Sequence, residues 1–207
     1  MAEAASPFAV RPYRASDLEA IYRVCLLTGA SGQDASELYD DHKLVGHMFA
    51  GAYGVLRPEY ALVIEDAEGV GGYILGAPDT PAFEAALEQA WWPALRAAFP
   101  DPVGMRYRDL TPDQRLIRGF HHPQITPPQI TDAYPAHLHI DLLPRFQGRG
   151  LGKALIDRWL ELMRSLGVRG VHLGVGAANE RAVRFYRAYG FRQLDLEPGA
   201  LVFAIDL

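Results

Sequence analysis

Three glycines within five residues connect a short apolar segment to an amphipathic helical pattern. They are Gly148, Gly150 and Gly152. Glycine allows an anion to approach the backbone closely, and the first amides of a helix are unpaired donors at the positive end of its dipole. The pattern therefore predicts a turn that binds phosphate, with room for a pyrophosphate.

Two familiar phosphate loops do not fit this turn. Its Gly-x-Gly-x-Gly spacing differs from the dinucleotide fingerprint, and no Gly-Lys-Ser/Thr follows it. A tight connection without a ligand is an alternative. The segment from Gln147 to Gly152 resembles instead the Gln/Arg-x-x-Gly-x-Gly/Ala loop of the GNAT superfamily of N-acetyltransferases. In that superfamily the loop holds the pyrophosphate of acetyl-CoA, so the resemblance implies acetyl-CoA as the cofactor.

A second segment resembles the same superfamily. Asn179, Ala182, Tyr186, Gly190 and Phe191 match its Asn-(x)2-Ala-(x)3-Tyr-(x)3-Gly-Phe helix, in the expected order after the turn. The resemblance implies that Tyr186 is the general acid that protonates the departing thiolate and that Asn179 contacts the pantetheine arm. Tyr186 could equally belong to an aromatic core stripe, and Asn179 could merely cap the helix.

The resemblance also implies a set of cofactor-binding positions. Backbone amides at the end of the central strand would hold the acetyl carbonyl, since such a strand commonly carries a bulge that frees an amide from the sheet. The implied cofactor-binding residues are Leu142, Leu143, Gln147, Gly148, Arg149, Gly150, Leu151, Gly152, Lys153 and Asn179.

The general base is harder to assign. Many relatives place a glutamate five residues before Asn179, where this chain has Gly174. Strand alternation puts His137, His139 and Asp141 on one face of a central strand, where a polar cleft or a hydrogen-bonded network is expected. Asp141 is the predicted base or water-orienting group and His139 the second choice, with structural roles left open for both. No metal site is expected, because His-x-His-x-Asp lacks another clear ligand in the sequence.

Composition excludes several classes of protein. The chain has 207 residues, of which 49% are hydrophobic and 22% charged, so a folded domain is expected. The net charge of -5 argues against nucleic acid as a partner. The single cysteine, Cys25, permits no internal disulfide, and no signal peptide or membrane span is apparent. We therefore expect a cytoplasmic protein without membrane contact.

Strand and helix patterns alternate along the chain. Strands are predicted at 8–13, 60–65, 69–75, 136–143, 171–175, 191–195 and 200–206, the last two joined by a turn at Pro198-Gly199. Helices are predicted after a capping box at Ser16 and Glu19, at 37–50, from a Thr80 cap to about 98, after a second box at Thr111 and Gln114, at 150–166 and at 180–189. The predicted class is α/β (α+β), a GNAT fold with a mixed central sheet of about six to seven strands flanked by helices.

One segment exceeds a minimal acetyltransferase. Residues 78–135 are predicted to form a helical insertion before the central cofactor-binding strand, with an irregular proline-rich loop at 123–135, inside a single domain spanning 1–207. The insertion could overhang the cleft as a substrate lid. It could equally be a packing extension that does not contact a ligand.

The resemblance extends over almost the whole chain. Arg11-Pro-Tyr13, Lys43-Leu-Val-Gly46, Gly72-Tyr73-x-Leu75-Gly76 and Trp92-Pro93 are similar to the acetyltransferase-like C-terminal domain of eukaryotic protein O-GlcNAc hydrolases and to bacterial acetyltransferases related to it. That eukaryotic domain is regarded as a pseudo-acetyltransferase with a degenerate CoA loop, whereas this chain keeps the loop glycines.

Three hypotheses follow for the function. The first is an acetyl-CoA-dependent N-acetyltransferase that acts on a small-molecule amine or a protein or peptide acceptor. The second is a catalytically weak pseudo-acetyltransferase that binds CoA or a peptide. The third is an interaction module with an empty cleft, which the intact loop disfavours. The acceptor is not specified by the sequence, and both a monomer and a homodimer are open.

Overall fold

The computed structural model describes residues 7–194 and 201–207. Their centre is a seven-stranded sheet in the order β1-β2-β3-β4-β5-β7-β6, in which only β4 and β5 run parallel. The strands are β1 (Ala9–Pro12), β2 (Leu62–Asp66), β3 (Gly69–Ala77), β4 (Ala136–Leu142), β5 (Gly170–Val175), β6 (Arg192–Leu194) and β7 (Leu201–Asp206). The predicted mixed sheet is confirmed. The predicted turn at Pro198-Gly199 lies outside the described residues.

Helices cover both faces of the sheet. They are α1 (Leu18–Thr28), α2 (Leu44–Phe49), α3 (Gly51–Leu56), α4 (Thr80–Ala90), α5 (Trp92–Ala98), α6 (Pro112–His121), α7 (Pro128–Thr131), α8 (Leu151–Ser165) and α9 (Glu180–Tyr189). On β3, Tyr73 interacts with Cys25 of α1, whereas Gly76 meets Trp159 of α8. Because side chains alternate between the faces of a strand, α1 and α8 lie on opposite sides.

The central strand, β4, is paired along most of one edge and only at the start of the other. It pairs with β3 from Gly72↔Leu142 to Ala77↔His137, but with β5 only at Ala136↔Val171 and His137↔His172. On its other edge, β5 pairs with β7 along its whole length. Beyond His137, β4 and β5 therefore separate toward their carboxyl ends, and a groove opens between them.

The bulge expected in β4 is wrong. The register of β3 with β4 is continuous, and the irregularity lies between β2 and β3 at Ile64 and Glu65. The separation of β4 from β5 exposes backbone groups on this edge without any insertion in the strand.

Several helix boundaries also differ from the predictions. The Ser16 and Glu19 capping box is absent, because Ala15–Asp17 form a 3-10 turn in which Asp17 accepts from the Arg14 amide. The helix predicted at 37–50 is a 3-10 turn at Ser36–Leu38 followed by α2, and the proline-rich loop contains α7.

The long helix predicted from Thr80 is two helices. Its cap is Asp79, which accepts from the Ala82 amide, and the helix stops at Ala90 before α5 begins. Pro93 has no amide proton and its ring crowds the preceding turn, so one helix cannot continue through it. The capping box of Thr111 and Gln114 is confirmed.

Segment 78–135 packs against α2. Trp91 Nε1 donates to the His47 carbonyl at 2.9 Å, and a small separate core unites Leu44 of α2 with Trp92, Leu95 and Phe120. Within the described ranges, no helix is long and apolar enough to cross a membrane.

The approach of α8 to the sheet requires a glycine. Trp159 is fully buried, and its Nε1 donates to the Tyr60 carbonyl at 2.8 Å. A Cβ at Gly76 would lie 2.3 Å from the His137 carbonyl oxygen and 2.4 Å from Trp159 Cζ2. The contact fixes the distance of α8 from β3.

We predict that Gly76→Ala lowers the free energy of unfolding by about 1–3 kcal/mol, because the added methyl overpacks this contact. The matched control is Gly176→Ala, whose Cβ would meet no atom within 4 Å and should cost less than about 0.5 kcal/mol. Urea denaturation of both variants measures the difference. Equal losses in the two variants would contradict the proposed packing.

Candidate active site

The turn before α8 presents a row of unpaired backbone donors. Gly148 and Gly150 have φ of 70° and 75°, and Gly150 is the N-cap of α8. The first helical bond of α8 comes from Ala154, whose amide donates to the Gly150 carbonyl. The amides of residues 148–153 make no hydrogen bond with the described part of the chain. A run of such amides at a helix start is an anion site.

Side chains around the turn hold it in place. Arg145 Nε bonds Asp66 Oδ2 at 2.9 Å, and its guanidinium lies 4.7 Å from the ring centroid of the buried Phe146. Arg149 Nε donates to the Arg145 carbonyl, and Lys153 pairs with Asp157 at 2.6 Å. Both side chains thus bond within the protein, and as exposed cations they keep further N–H donors beside the turn.

A groove of about 400 Å³ leads from this turn into the gap between β4 and β5. Eight of the ten predicted cofactor positions line it, and Leu143 and Arg149 do not. The eight are Leu142, Gln147, Gly148, Gly150, Leu151, Gly152, Lys153 and Asn179. Apolar side chains of Ile140, Phe146 and Phe185 form much of the remaining wall.

Gln147 and Asn179 connect the two sides of the groove. Gln147 Nε2 donates to the Leu142 carbonyl at 2.6 Å, and Arg181 of α9 donates to Gln147 Oε1. Asn179 Oδ1 accepts from the Ala182 amide at 3.1 Å, so this side chain caps α9 while it also lines the groove. Sequence reasoning missed Arg181. Its position two residues after Asn179, at the start of α9, could have indicated that it lies beside the groove.

The backbone amides of Leu142 and Leu143, both predicted to bind the acetyl carbonyl, differ in their hydrogen bonds. The Leu143 amide donates to the Gly71 carbonyl at 2.8 Å, so it is not available and that prediction needs correction. Antiparallel bonding alternates along a strand, so the amides of Ile140 and Leu142 point away from β3 toward the gap. Leu142 remains the candidate donor.

A second cavity of about 310 Å³ adjoins the groove. The two share Thr28, Gly32, Ile140, Asp141, Asn179, Ala182 and Tyr186. The other cavity residues include Cys25, Val45, Phe49, His139 and Gly174. We call this cavity the chamber. None of the described residues of segment 78–135 lines the groove or the chamber, which does not support the lid interpretation.

Asp141 lies where the groove and the chamber meet. Burial raises its pKa to about 6, and a hydrogen bond from the Tyr73 hydroxyl at 2.6 Å opposes that shift. The carboxyl group is therefore mostly ionised above pH 6 and can accept a proton near neutrality.

Tyr186 faces the same junction. Its side chain is 7% exposed and lines both cavities, and its hydroxyl makes no hydrogen bond with the described residues. Burial, with a smaller contribution from Asp141, raises its pKa, so the phenol stays protonated at neutral pH. The ring also contacts Phe191 and Phe203, at centroid distances of 5.7 and 6.0 Å. Tyr186 is thus both a core residue and a protonated phenol that lines the groove.

The histidines on the Asp141 face have different surroundings. His137 is buried, with Nε2 2.8 Å from the Tyr53 hydroxyl and Nδ1 2.7 Å from Thr80 Oγ1. His139 lines the chamber. Burial lowers its pKa to about 4, so it is neutral at pH 7. No three His, Cys, Asp or Glu side chains in the described ranges are arranged to bind a metal.

Comparisons with known proteins agree with this geometry. Residues 116–191 match the Acetyltransferase (GNAT) family. The crystal structure of SsHAT is 37% identical, with 96% of this chain and 98% of that chain covered and a TM-score of 0.89. Protein O-GlcNAcase of Rattus norvegicus is 24% identical over an alignment of 193 positions that covers 88% of this chain but only 20% of that protein.

A more distant solved structure has the same fold. The PaiA N-acetyltransferase of Thermoplasma acidophilum, solved in complex with coenzyme A, is 14% identical, with a TM-score of 0.53 and coverage of 97% and 99% of the two chains. At that identity the likeness concerns the fold alone. With the family match and the nearly full-length similarity to SsHAT, the chain belongs to the GNAT acetyltransferase superfamily and resembles the acetyltransferase-like region of O-GlcNAcase.

Proposed function

We propose that the chain is an acetyl-CoA-dependent N-acetyltransferase that modifies a primary amine of a small molecule or a protein. One observation carries the proposal: a row of free amides opens a groove that ends between the Leu142 amide, Tyr186 and Asp141. On this view residues 1–207 act as a single acetyltransferase domain, and segment 78–135 is an insertion that supports α2.

The groove fits the shape and charge of acetyl-CoA. The amides of residues 148–153 would bind the pyrophosphate, and the apolar wall with Asn179 would contact the pantetheine arm. Acetyl-CoA would supply the acetyl group as an activated thioester. Coenzyme A in the PaiA complex supports this choice of cofactor.

Each catalytic task then has a residue at the junction. The Leu142 amide donates to the acetyl carbonyl oxygen as negative charge grows there. Asp141 accepts the proton that the ammonium acceptor must lose before its nitrogen bonds the carbonyl carbon. Tyr186 donates a proton to the sulfur as the carbon–sulfur bond breaks, and the second proton lost by the nitrogen restores the phenol. The net reaction of an ammonium acceptor gives an amide, a free thiol and one proton.

A second function remains in competition. Gly174 leaves the usual glutamate position empty, which favours a pseudo-acetyltransferase that binds CoA or a peptide with weak turnover. The intact turn and the protonated Tyr186 favour the enzyme. Variants of Gly150, Tyr186 and Asp141 separate the two functions.

We predict that saturating acetyl-CoA raises the melting temperature and that Gly150→Val abolishes the shift. A ligand at 100 times its Kd adds about 2.7 kcal/mol, which corresponds to roughly 5–10 °C for a chain of this size. Gly167→Val is the matched control, because Gly167 has a similar φ of 73° but lies beyond the C-terminus of α8. Thermal shift assays measure both. A full shift in Gly150→Val would contradict the assigned pyrophosphate site.

We predict that Tyr186→Phe lowers kcat about 100-fold or more because the leaving thiolate loses its proton donor, while the acetyl-CoA melting shift stays. Tyr189→Phe is the control on the same helix, since its hydroxyl bonds Asp157 away from the groove. Thiol release assays give kcat. Equal activity of the two variants would remove Tyr186 from the mechanism.

We predict that kcat/KM rises with pH through about 6 as Asp141 ionises, and that Asp141→Asn lowers activity and removes this step. Gly174→Glu in the Asp141→Asn background should restore part of the activity, because Gly174 lines the chamber and a Cβ there meets no atom within 4 Å. Gly174→Gln in the same background is the control. An unchanged pH profile in Asp141→Asn would exclude Asp141 as the base.

A further inference from the structure

The chamber carries a charge pattern that selects among acceptors, and the inference drawn from it rests on the proposed function. No lysine or arginine in the described ranges lines it. Burial raises the pKa of Cys25 to about 12 and also raises that of Tyr186, so both are neutral. His139 is neutral as well, which leaves Asp141 as the one charge at neutral pH. A cationic amine is favoured, and an acceptor with a carboxylate or phosphate in the chamber is disfavoured.

His139 differs from the two histidines beside it. His137 bonds Tyr53 and Thr80, and His172 Nδ1 lies 2.7 Å from the Tyr134 carbonyl. His139 has no hydrogen bond with the described residues, and it contacts its neighbours only through its ring, at centroid distances of 5.4 Å from Tyr53 and 6.3 Å from Phe49. Its side chain is half-buried and lines the chamber. A neutral imidazole offers one donor and one acceptor, and both are free for a ligand.

The spacing along β4 sets the distance between the two polar groups of the chamber. His139 and Asp141 are two residues apart on one face of the strand, which separates them by about 7 Å. The facing wall is backbone at Gly174 and Gly176, where a Cβ would meet no atom within 4 Å. On this side of the chamber, an extended chain would meet backbone as it runs from Asp141 past His139.

We propose that the chamber accepts an unbranched aliphatic primary amine with a neutral hydroxyl or amide about 7 Å from the nitrogen, and that His139 hydrogen-bonds this group and so determines specificity. An amino alcohol and the side chain of a lysine residue with its backbone amide share this chemistry. His139 binds the remote group, whereas Asp141 and Tyr186 serve the reacting nitrogen and sulfur.

The test compares four amines: 5-amino-1-pentanol, hexylamine, Nα-acetyl-lysine methylamide and 6-aminohexanoate. Hexylamine replaces the hydroxyl of the amino alcohol by a methyl group, the lysine derivative represents a peptide, and the last carries a carboxylate. Binding to the protein with and without coenzyme A is measured by calorimetry, and turnover by thiol release. The variants are His139→Phe, which keeps a ring without nitrogens, and His139→Asn, which keeps a donor and an acceptor.

We expect the wild type to prefer 5-amino-1-pentanol or the lysine derivative over hexylamine by about five- to tenfold, as one hydrogen bond provides. 6-Aminohexanoate should be the poorest acceptor. His139→Phe should lose the preference through KM rather than kcat, because the polar amines lose more than hexylamine does, and His139→Asn should retain part of the preference. If 5-amino-1-pentanol is the better acceptor, the natural acceptor is a small molecule. If the lysine derivative is better, the natural acceptor is a peptide.

Equal use of hexylamine and the polar amines by the wild type would overturn the proposal, as would a preference that survives in His139→Phe. Absence of any amine binding would overturn it too. Amine binding with the expected preference but without acetyl transfer would uphold the acceptor chemistry and contradict the proposed enzyme. Failure of acetyl-CoA to shift the melting temperature would contradict acetyl-CoA as the cofactor and would leave the proposed acceptor chemistry standing.

Discussion

The separation of β4 from β5 is the constraint on which the rest of the structure depends. The two parallel strands pair only at their beginnings, while β5 pairs along its whole length with β7 on its other edge. Backbone amides and carbonyls along the open edge of β4 lose their sheet partners, which is costly unless another group satisfies them. Gln147 satisfies the Leu142 carbonyl from the side of the turn, and the Leu142 amide is left for a ligand. The opening also joins the groove of α8 to the chamber under α1 and α2.

The two ends of this passage have opposite electrical character. At one end, backbone amides of residues 148–153 provide positive partial charge while Arg149 and Lys153 bond within the protein. At the other end Asp141 is the charged group, held by Tyr73 at a pKa where it both ionises and accepts protons. In the proposed reaction, an anionic diphosphate and a cationic amine would therefore be drawn to different ends, which would place the acetyl group between them.

Sequence reasoning succeeded where a local pattern determines the structure. The glycines of the turn, the start of α8 and the capping box at Thr111 each depend on neighbouring residues, and each lies where it was predicted. The sites of Asp141 and Tyr186 followed from strand alternation and from a resemblance to a family. The structure brings both to one junction, and their catalytic roles stay predictions.

Features set by tertiary contacts could not be predicted in the same way. The open edge of β4 reflects how far β5 runs alongside it, which no local pattern encodes, so a bulge was expected in its place. Thr80 looked like a helix cap, yet its hydroxyl interacts with His137 and Pro135 while Asp79 caps α4. Segment 78–135 packs against α2, and no sequence signal showed which side of the helix it would cover.

The central claim is that amides of residues 148–153 bind the diphosphate of acetyl-CoA and so direct the thioester toward Leu142, Asp141 and Tyr186. A crystal structure of the protein with coenzyme A tests it most directly. The account predicts pyrophosphate oxygens within hydrogen-bond distance of several of these amides and the thiol near the Tyr186 hydroxyl. Coenzyme A bound elsewhere, or with its sulfur away from this junction, would contradict it.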